Sequence, residues 1–139
     1  MAAESNKVTP FPRRAWFEAL GETLAGDPEL AVIGRWCTLD LVVVVDEEAV
    51  LLRIEGGRIS RIVPEPDMGA SWSVTLRGSL EDWLTFLQPV PPPFYHDLLA
   101  MNTRVPSFSI EGDRRVFVRH LHALGRIFRL AQLMGGGGA

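Results

Sequence analysis

Trp16, Phe17, Leu20 and Leu24 recur at helical spacing up to Gly26-Asp27-Pro28, predicting one amphipathic helix after a polar start that ends in Pro10-Phe11-Pro12. Short runs rich in β-branched residues follow, and they predict strands over Ala31 to Cys37, Thr38 to Asp46, Ala49 to Glu55, Arg58 to Pro64 and Ser71 to Arg77. Gly56-Gly57 separates two of these runs at the spacing of a tight hairpin, and Asp46-Glu47-Glu48 can turn the chain just before. The expected sheet is largely a meander. In its last run Trp72, Val74 and Leu76 point one way while Ser71, Ser73, Thr75 and Arg77 point the other, so one face is expected to be wet. Leu41 to Val45 is apolar on both faces, which predicts a central strand covered at least in part on each side.

Beyond the sheet, Ser79 with Glu81 and Asp82 signals a helix start, and Leu80, Trp83, Leu84 and Leu87 form its apolar stripe up to Gln88-Pro89. Pro89-Val90-Pro91-Pro92-Pro93 must be extended and stiff, because each proline fixes its own φ and restricts its predecessor. A short helix from Phe94 to Asn102, a strand from Ser107 to Glu111, and a long final helix from Arg114 to about Leu133 complete the pattern, with Gly112-Asp113 capping the last. The fold class expected is α+β: a mainly antiparallel mixed sheet of five to six strands with helices packed on one face. Residues 1–12 read as a disordered or extended arm, 13–133 as a single domain, and 134–139 as a flexible glycine-rich tail.

Composition changes this picture only by exclusion. A chain of 139 residues with 47% hydrophobic and 22% charged residues and a net charge of -3 is that of an ordinary globular domain, not of a disordered or nucleic-acid-coating one. Cys37 is the single cysteine, so no intrachain disulfide or multi-cysteine zinc site can form, and a cytoplasmic, reducing location is expected. The N-terminal residues lack an apolar h-region, and no run is long enough to predict a transmembrane segment.

The order of elements, with Leu76-Arg77-Gly78-Ser79-Leu80-Glu81-Asp82-Trp83-Leu84 and Phe108-Ser109-Ile110-Glu111-Gly112-Asp113, resembles the sterol carrier protein 2-like superfamily from about Arg13 to Leu133. The resemblance implies helices packed on a sheet around an apolar tunnel for lipids or other hydrophobic molecules. In some members it implies an accessory or dimerising domain of a larger enzyme. This sequence departs from the pattern through Pro89 to Pro93 and lacks a Ser-Lys-Leu peroxisomal ending, so a bacterial-style cytoplasmic version with a changed tunnel mouth fits it better.

Two sets of side chains are candidates for binding. Trp72, Trp83, Phe86, Phe94, Tyr95, Met101, Phe108, Phe117, Leu121 and Phe128 could line a hydrophobic pocket, although a filled core carries the same pattern. Burying roughly 300 Å² of apolar ligand would supply about 7 kcal/mol before association costs. Arg115, Arg119, His122, Arg126 and Arg129 recur along one stripe of the final helix as a basic ridge, suited to docking an acidic partner, an anionic lipid headgroup or a ligand carboxylate or phosphate. Alternatively, that ridge is a solvated face paired with Asp46, Glu47, Glu48, Glu55, Glu65 and Asp67. Nucleic acid is not an expected partner, since no recognised fold motif accompanies the ridge.

Chemistry is poorly represented. Tyr95-His96-Asp97 on a helix would project about 100° apart and form no relay, and His120 and His122 lack the four-residue spacing of a metal pair. Cys37 beside Trp36 reads as a small buried side chain. Dinucleotide, P-loop, hydrolase-elbow and zincin motifs are absent from the sequence. No cofactor, metal or catalytic residue is therefore expected. The leading reading is noncatalytic binding of a lipid, sterol or acyl-type molecule in an apolar cavity between helices and sheet. The second is an accessory or dimerisation module acting as a homodimer or with a partner enzyme. The third is a small ketosteroid-isomerase-like enzyme using Tyr95 with Asp97 or Asp113.

Overall fold

A computed structural model of the chain describes residues 10–66 and 73–136. Helix α1, Arg14–Ala25, buries Trp16, Phe17, Leu20 and Leu24 on one stripe and stops at Gly26. The next six residues, Pro28–Ile33, form helix α2 and not the strand expected over Ala31 to Cys37. Local capping overrides the β-branched composition here. The Asp27 carboxylate accepts the Leu30 N–H at 2.9 Å, and Pro28 holds the first helical position, where its missing N–H is harmless. A turn follows, in which the Cys37 N–H donates to Gly34 O at 2.8 Å.

Strands β1 (Leu39–Val45), β2 (Glu48–Glu55), β3 (Arg58–Pro64), β4 (Val74–Gly78) and β5 (Ser109–Gly112) make one sheet in the order β3-β2-β1-β4-β5. It is mixed and mostly antiparallel. β1 to β3 are a meander, β4 re-enters parallel to β1, and β5 closes that side antiparallel to β4. Gly56 and Gly57, at φ 62° and 79°, supply the left-handed pair a two-residue hairpin needs. β1 is central and wholly apolar apart from Asp40. Leu39, Leu41, Val43 and Val45 join the helix-side core, while Val42 and Val44 are buried on the opposite face. Thr75, expected to be wet, is buried beside Val42, because its place next to the central strand outweighs its polarity. Ser71, Trp72 and Asp67 lie outside the described residues.

Among the described residues four more helices follow: α3 (Leu80–Phe86), α4 (Leu98–Arg104), α5 (Arg114–Arg119) and α6 (Leu121–Met134). Ser79 and Asp82 form a reciprocal capping box at the head of α3, which buries Trp83 and Phe86, whereas Leu80 is partly exposed. Helix α4 begins after Asp97, not at Phe94. Pro91 to Pro93 have no N–H to give a helix. The stretch expected to be extended bends at Pro89-Val90 and turns at Pro93-Phe94, where the Tyr95 N–H donates to Pro92 O at 3.1 Å and Phe94 is left-handed at φ 75°. The Asp97 carboxylate then accepts the Ala100 N–H at 2.7 Å. The expected single final helix is two helices, parted at His120. The halves pack on different layers, α5 against β4 and α6 against α1 and α2, so the chain changes direction between them.

The glycines of the two sequence signatures have physical causes. A Cβ at Gly78 would stand 2.9 Å from the Phe108 ring, so only glycine lets that ring and Trp83 close on the end of β4. At Gly112, φ is +100° and a Cβ would stand 2.5 Å from Ser73 O. Asp113 then donates its N–H to the same oxygen at 2.7 Å while its carboxylate caps α5. Arm and tail meet beside this core. Phe11 is buried and its N–H donates to Gly136 O at 2.8 Å, and the Trp16 indole donates to Gly135 O at 2.9 Å.

Gly112→Ala should lose about 2–3 kcal/mol in a denaturant titration, from the positive φ and the contact with Ser73 O together. Gly26→Ala, at φ -95° with no atom closer than 3.8 Å to the new methyl, should be neutral or slightly stabilising in the same assay.

Candidate ligand groove

Between helices and sheet, the aromatic side chains fill the space. The Trp83 ring lies 5.5 Å from Phe11, 5.9 Å from Phe86, 5.6 Å from Phe108 and 6.2 Å from Phe128. Its buried indole N–H donates to Val44 O at 3.0 Å. Trp83, Met101, Phe108 and Phe117 are thus parts of a packed core, Tyr95 is half-buried against it, and Phe94 is exposed with the Arg104 guanidinium 5.2 Å from its ring. Trp72 lies outside the described residues.

One open volume lies beside that cluster, on the side of Phe86 and Phe128. A groove of about 500 Å³ runs between α6 and the segment leading into α4, and no strand residue lines it. Phe86, Leu121 and Phe128 form its apolar floor together with Leu98 and Leu99. His122, Arg126 and Arg129 stand along its rim with Glu29 and Asp97, so three members of the basic ridge meet three members of the aromatic set beside two carboxylates. Arg115 and Arg119 do not join them, because they belong to α5 beyond the break at His120. Leu98, Leu99, His96, Gln132 and Gly125 were not singled out by sequence reasoning as lining residues. His96 and the first residues of α4 come to α6 from a distance in sequence, Gln132 lies on α6 itself, and only the mid-helix Gly125 carried a local signal.

Hydrogen bonds set this wall in place. The Gln132 amide donates to His96 O at 3.1 Å, and Arg129 Nη1 donates to Pro89 O and to Gln132 Oε1, each at 3.0 Å. The two rim arginines differ in charge balance. Arg126 donates twice to Asp27, at 2.7 and 3.0 Å, and lies 3.6 Å from Glu29. Its hydrogen bond, first among several causes, holds the Asp27 carboxyl below the usual carboxylate range; partial burial opposes this, and the Leu30 N–H and the arginine's charge assist it. Arg129 meets neutral oxygens alone among the described residues.

The catalytic-looking groups are engaged elsewhere. Asp97 and Asp113 cap α4 and α5, and His96 Nε2 sits 3.4 Å from Asp97 Oδ2 on the exposed approach to α4. Burial pushes the Cys37 thiol up to about 11, which keeps it protonated and unreactive near neutrality. Among the described residues no three His, Cys, Asp or Glu side chains gather to hold a metal, and no helix is long and apolar enough to cross a membrane.

The strand order and helix-backed sheet define the sterol carrier protein 2-like fold, and this chain has it. A crystal structure of sterol carrier protein 2 matches with a TM-score of 0.69 at 16% identity, over 86% of this chain and 95% of that one. The solution structure of a conserved hypothetical protein from Thermus thermophilus, described as possibly a sterol carrier protein, matches with a TM-score of 0.66 at 15% identity over 91% of each chain. The ubiquinone synthesis protein UbiJ-SCP2 matches with a TM-score of 0.55 at 15% identity, over 82% of this chain and 90% of that one. No protein-family model and no curated protein matches the sequence.

Asp27→Asn retains the cap on α2 but removes the charge that faces Arg126. Since the folded-state pKa of Asp27 is lowered, its stabilising contribution is fully present above the usual carboxylate range and is lost as pH falls through the folded value. Thermal unfolding should therefore show the variant melting below the wild type at neutral pH, with the gap closing in strong acid.

Proposed function

We propose that this chain is a noncatalytic, cytoplasmic binding domain for a hydrophobic small molecule of lipid, sterol or acyl type, with no cofactor. The observation that carries this reading is the groove of about 500 Å³, apolar along its floor, with a charged rim on which Arg126 and Arg129 stand with Glu29 and Asp97. Its volume falls within the roughly 300–1,000 Å³ of small-molecule sites. The fold shared with sterol carrier protein 2 supports the ligand class. The groove departs from the expected position, since the ligand would lie along the outer side of α6 and not between helices and sheet. Arg129, which makes no ion pair among the described residues, would receive an acidic head group.

Fluorescence titration with dansylundecanoic acid should show saturable, single-site binding, displaced by decanoic acid more readily than by decanol. Arg129→Gln should weaken the acid roughly tenfold, equivalent to about 1.4 kcal/mol for one charge-assisted contact, and the alcohol distinctly less, through the lost bond to Pro89 O alone, while Arg129→Lys should keep most of the affinity for the acid. Absence of saturable binding would sink the proposal.

A second reading, an accessory or dimerisation module working beside an enzyme, is favoured by the sheet face that carries Val42 and Val44. Half-buried Leu51 stands opposite Val42 there, flanked by the ion pairs of Arg53 with Asp40 and Arg77 with Glu111. The similarity to a ubiquinone synthesis protein supports the accessory role. On this reading sedimentation should reveal a concentration-dependent dimer that Leu51→Lys disrupts; a monomer at every concentration that co-purifies with no enzyme would argue against it.

A further inference from the structure

Gly125 stands in the interior of the fourteen-residue helix α6, where glycine is a poor helix former and every other residue except proline holds the turn better. Neither of the usual reasons for a glycine applies. Its φ is not among the positive ones, and a Cβ built on it meets nothing within 4 Å. The other glycine within a long helix, Gly21 in α1, differs: its Cβ would touch Ile59 of the sheet at 3.7 Å. What surrounds Gly125 is the groove. Leu121 and His122 one turn before it, and Phe128 and Arg129 one turn after it, all line the same volume as Gly125 itself.

We infer that Gly125 is a specificity-determining position, whose missing side chain is the space through which the apolar body of a bound amphiphile crosses α6. This deepens the binding reading above and rests on it. A ligand lying across the helix at Gly125 has its head within reach of the rim at Arg129 and its body on Leu121, Leu98 and Phe128. Any side chain longer than a methyl would extend from the helix into the same volume, so the residue at 125 would set how thick a chain or ring system the groove admits. The helix would gain stability from such a replacement while the site closed, a pairing of effects that a packing glycine does not give.

Wild type, Gly125→Ala and Gly125→Leu are compared by thermal unfolding and by titration with dansylundecanoic acid. The alanine variant should melt about 3–5 °C higher and bind within roughly threefold of wild type. The leucine variant should melt no lower than wild type and bind at least about tenfold more weakly. Wild-type-like binding by a folded leucine variant would overturn the role of Gly125 and leave the binding reading standing. An alanine variant that melts lower, or a leucine variant that fails to fold, would contradict the open space above Gly125 and overturn the inference. If wild type itself binds no probe, the binding reading falls and takes this inference with it. Loss of a dimer in the leucine variant, with probe affinity unchanged, would mean that Gly125 serves a chain contact and would likewise overturn it.

Discussion

The Trp83 indole, donating to Val44 O from within a ring of aromatic side chains, is the interaction around which the other layers are arranged. A buried tryptophan N–H without a partner costs about 1–3 kcal/mol, and here its partner is a backbone carbonyl of the central strand. That single bond fixes the depth and rotation of α3 on the sheet. Gly78 must then lack a side chain, Phe108 must close over it, and Ser79 must start the helix immediately at the strand's end. Phe11 reaches the same cluster from the N-terminal side, and Phe128 from α6. Layers distant in sequence are therefore held by one desolvated aromatic group.

That arrangement decides where a ligand could be accommodated. The rings pack against one another between helices and sheet, and the groove lies beyond Phe86 and Phe128, which contribute to both the core and the groove floor. The basic ridge is divided by the same packing. Because α5 turns onto β4 and α6 onto α1 and α2, only the second half of the ridge faces the groove. Within that half, Asp27 and Glu29 occupy Arg126, leaving Arg129 as the cation whose partners are neutral.

Much of the fold was legible because it is locally encoded. The stripe of α1, the Gly56-Gly57 hairpin, the capping box at Ser79 and the doubly apolar β1 each follow from residues a few positions apart. The errors arose where two local signals competed or where tertiary packing decided. Val32 and Ile33 argued for a strand, yet Asp27-Pro28 nucleated a helix that leaves Val32 exposed. His120 carries no helix-breaking signal, and the break there reflects two halves packing on different partners. Of the groove, Phe86, Leu121, Phe128 and the ridge cations could be named from the sequence, but their meeting place could not. It depends on long-range hydrogen bonds from α6 to the backbone of Pro89 and His96.

Those bonds also determine what binding would cost. A wall of flexible chain would have to be ordered around each ligand, at a charge to affinity for every side chain and backbone torsion immobilised. Here Pro89 and Pro91 to Pro93 have fixed φ angles, and Arg129 and Gln132 hold the two ends of that stretch against α6 without any ligand. The groove is consequently preformed on both sides: a regular helix along one, a conformationally restricted segment along the other. On the proposed binding reading, recognition would rely on shape at Gly125, where the chain leaves space, and on charge at Arg129, whose partners among the described residues are neutral.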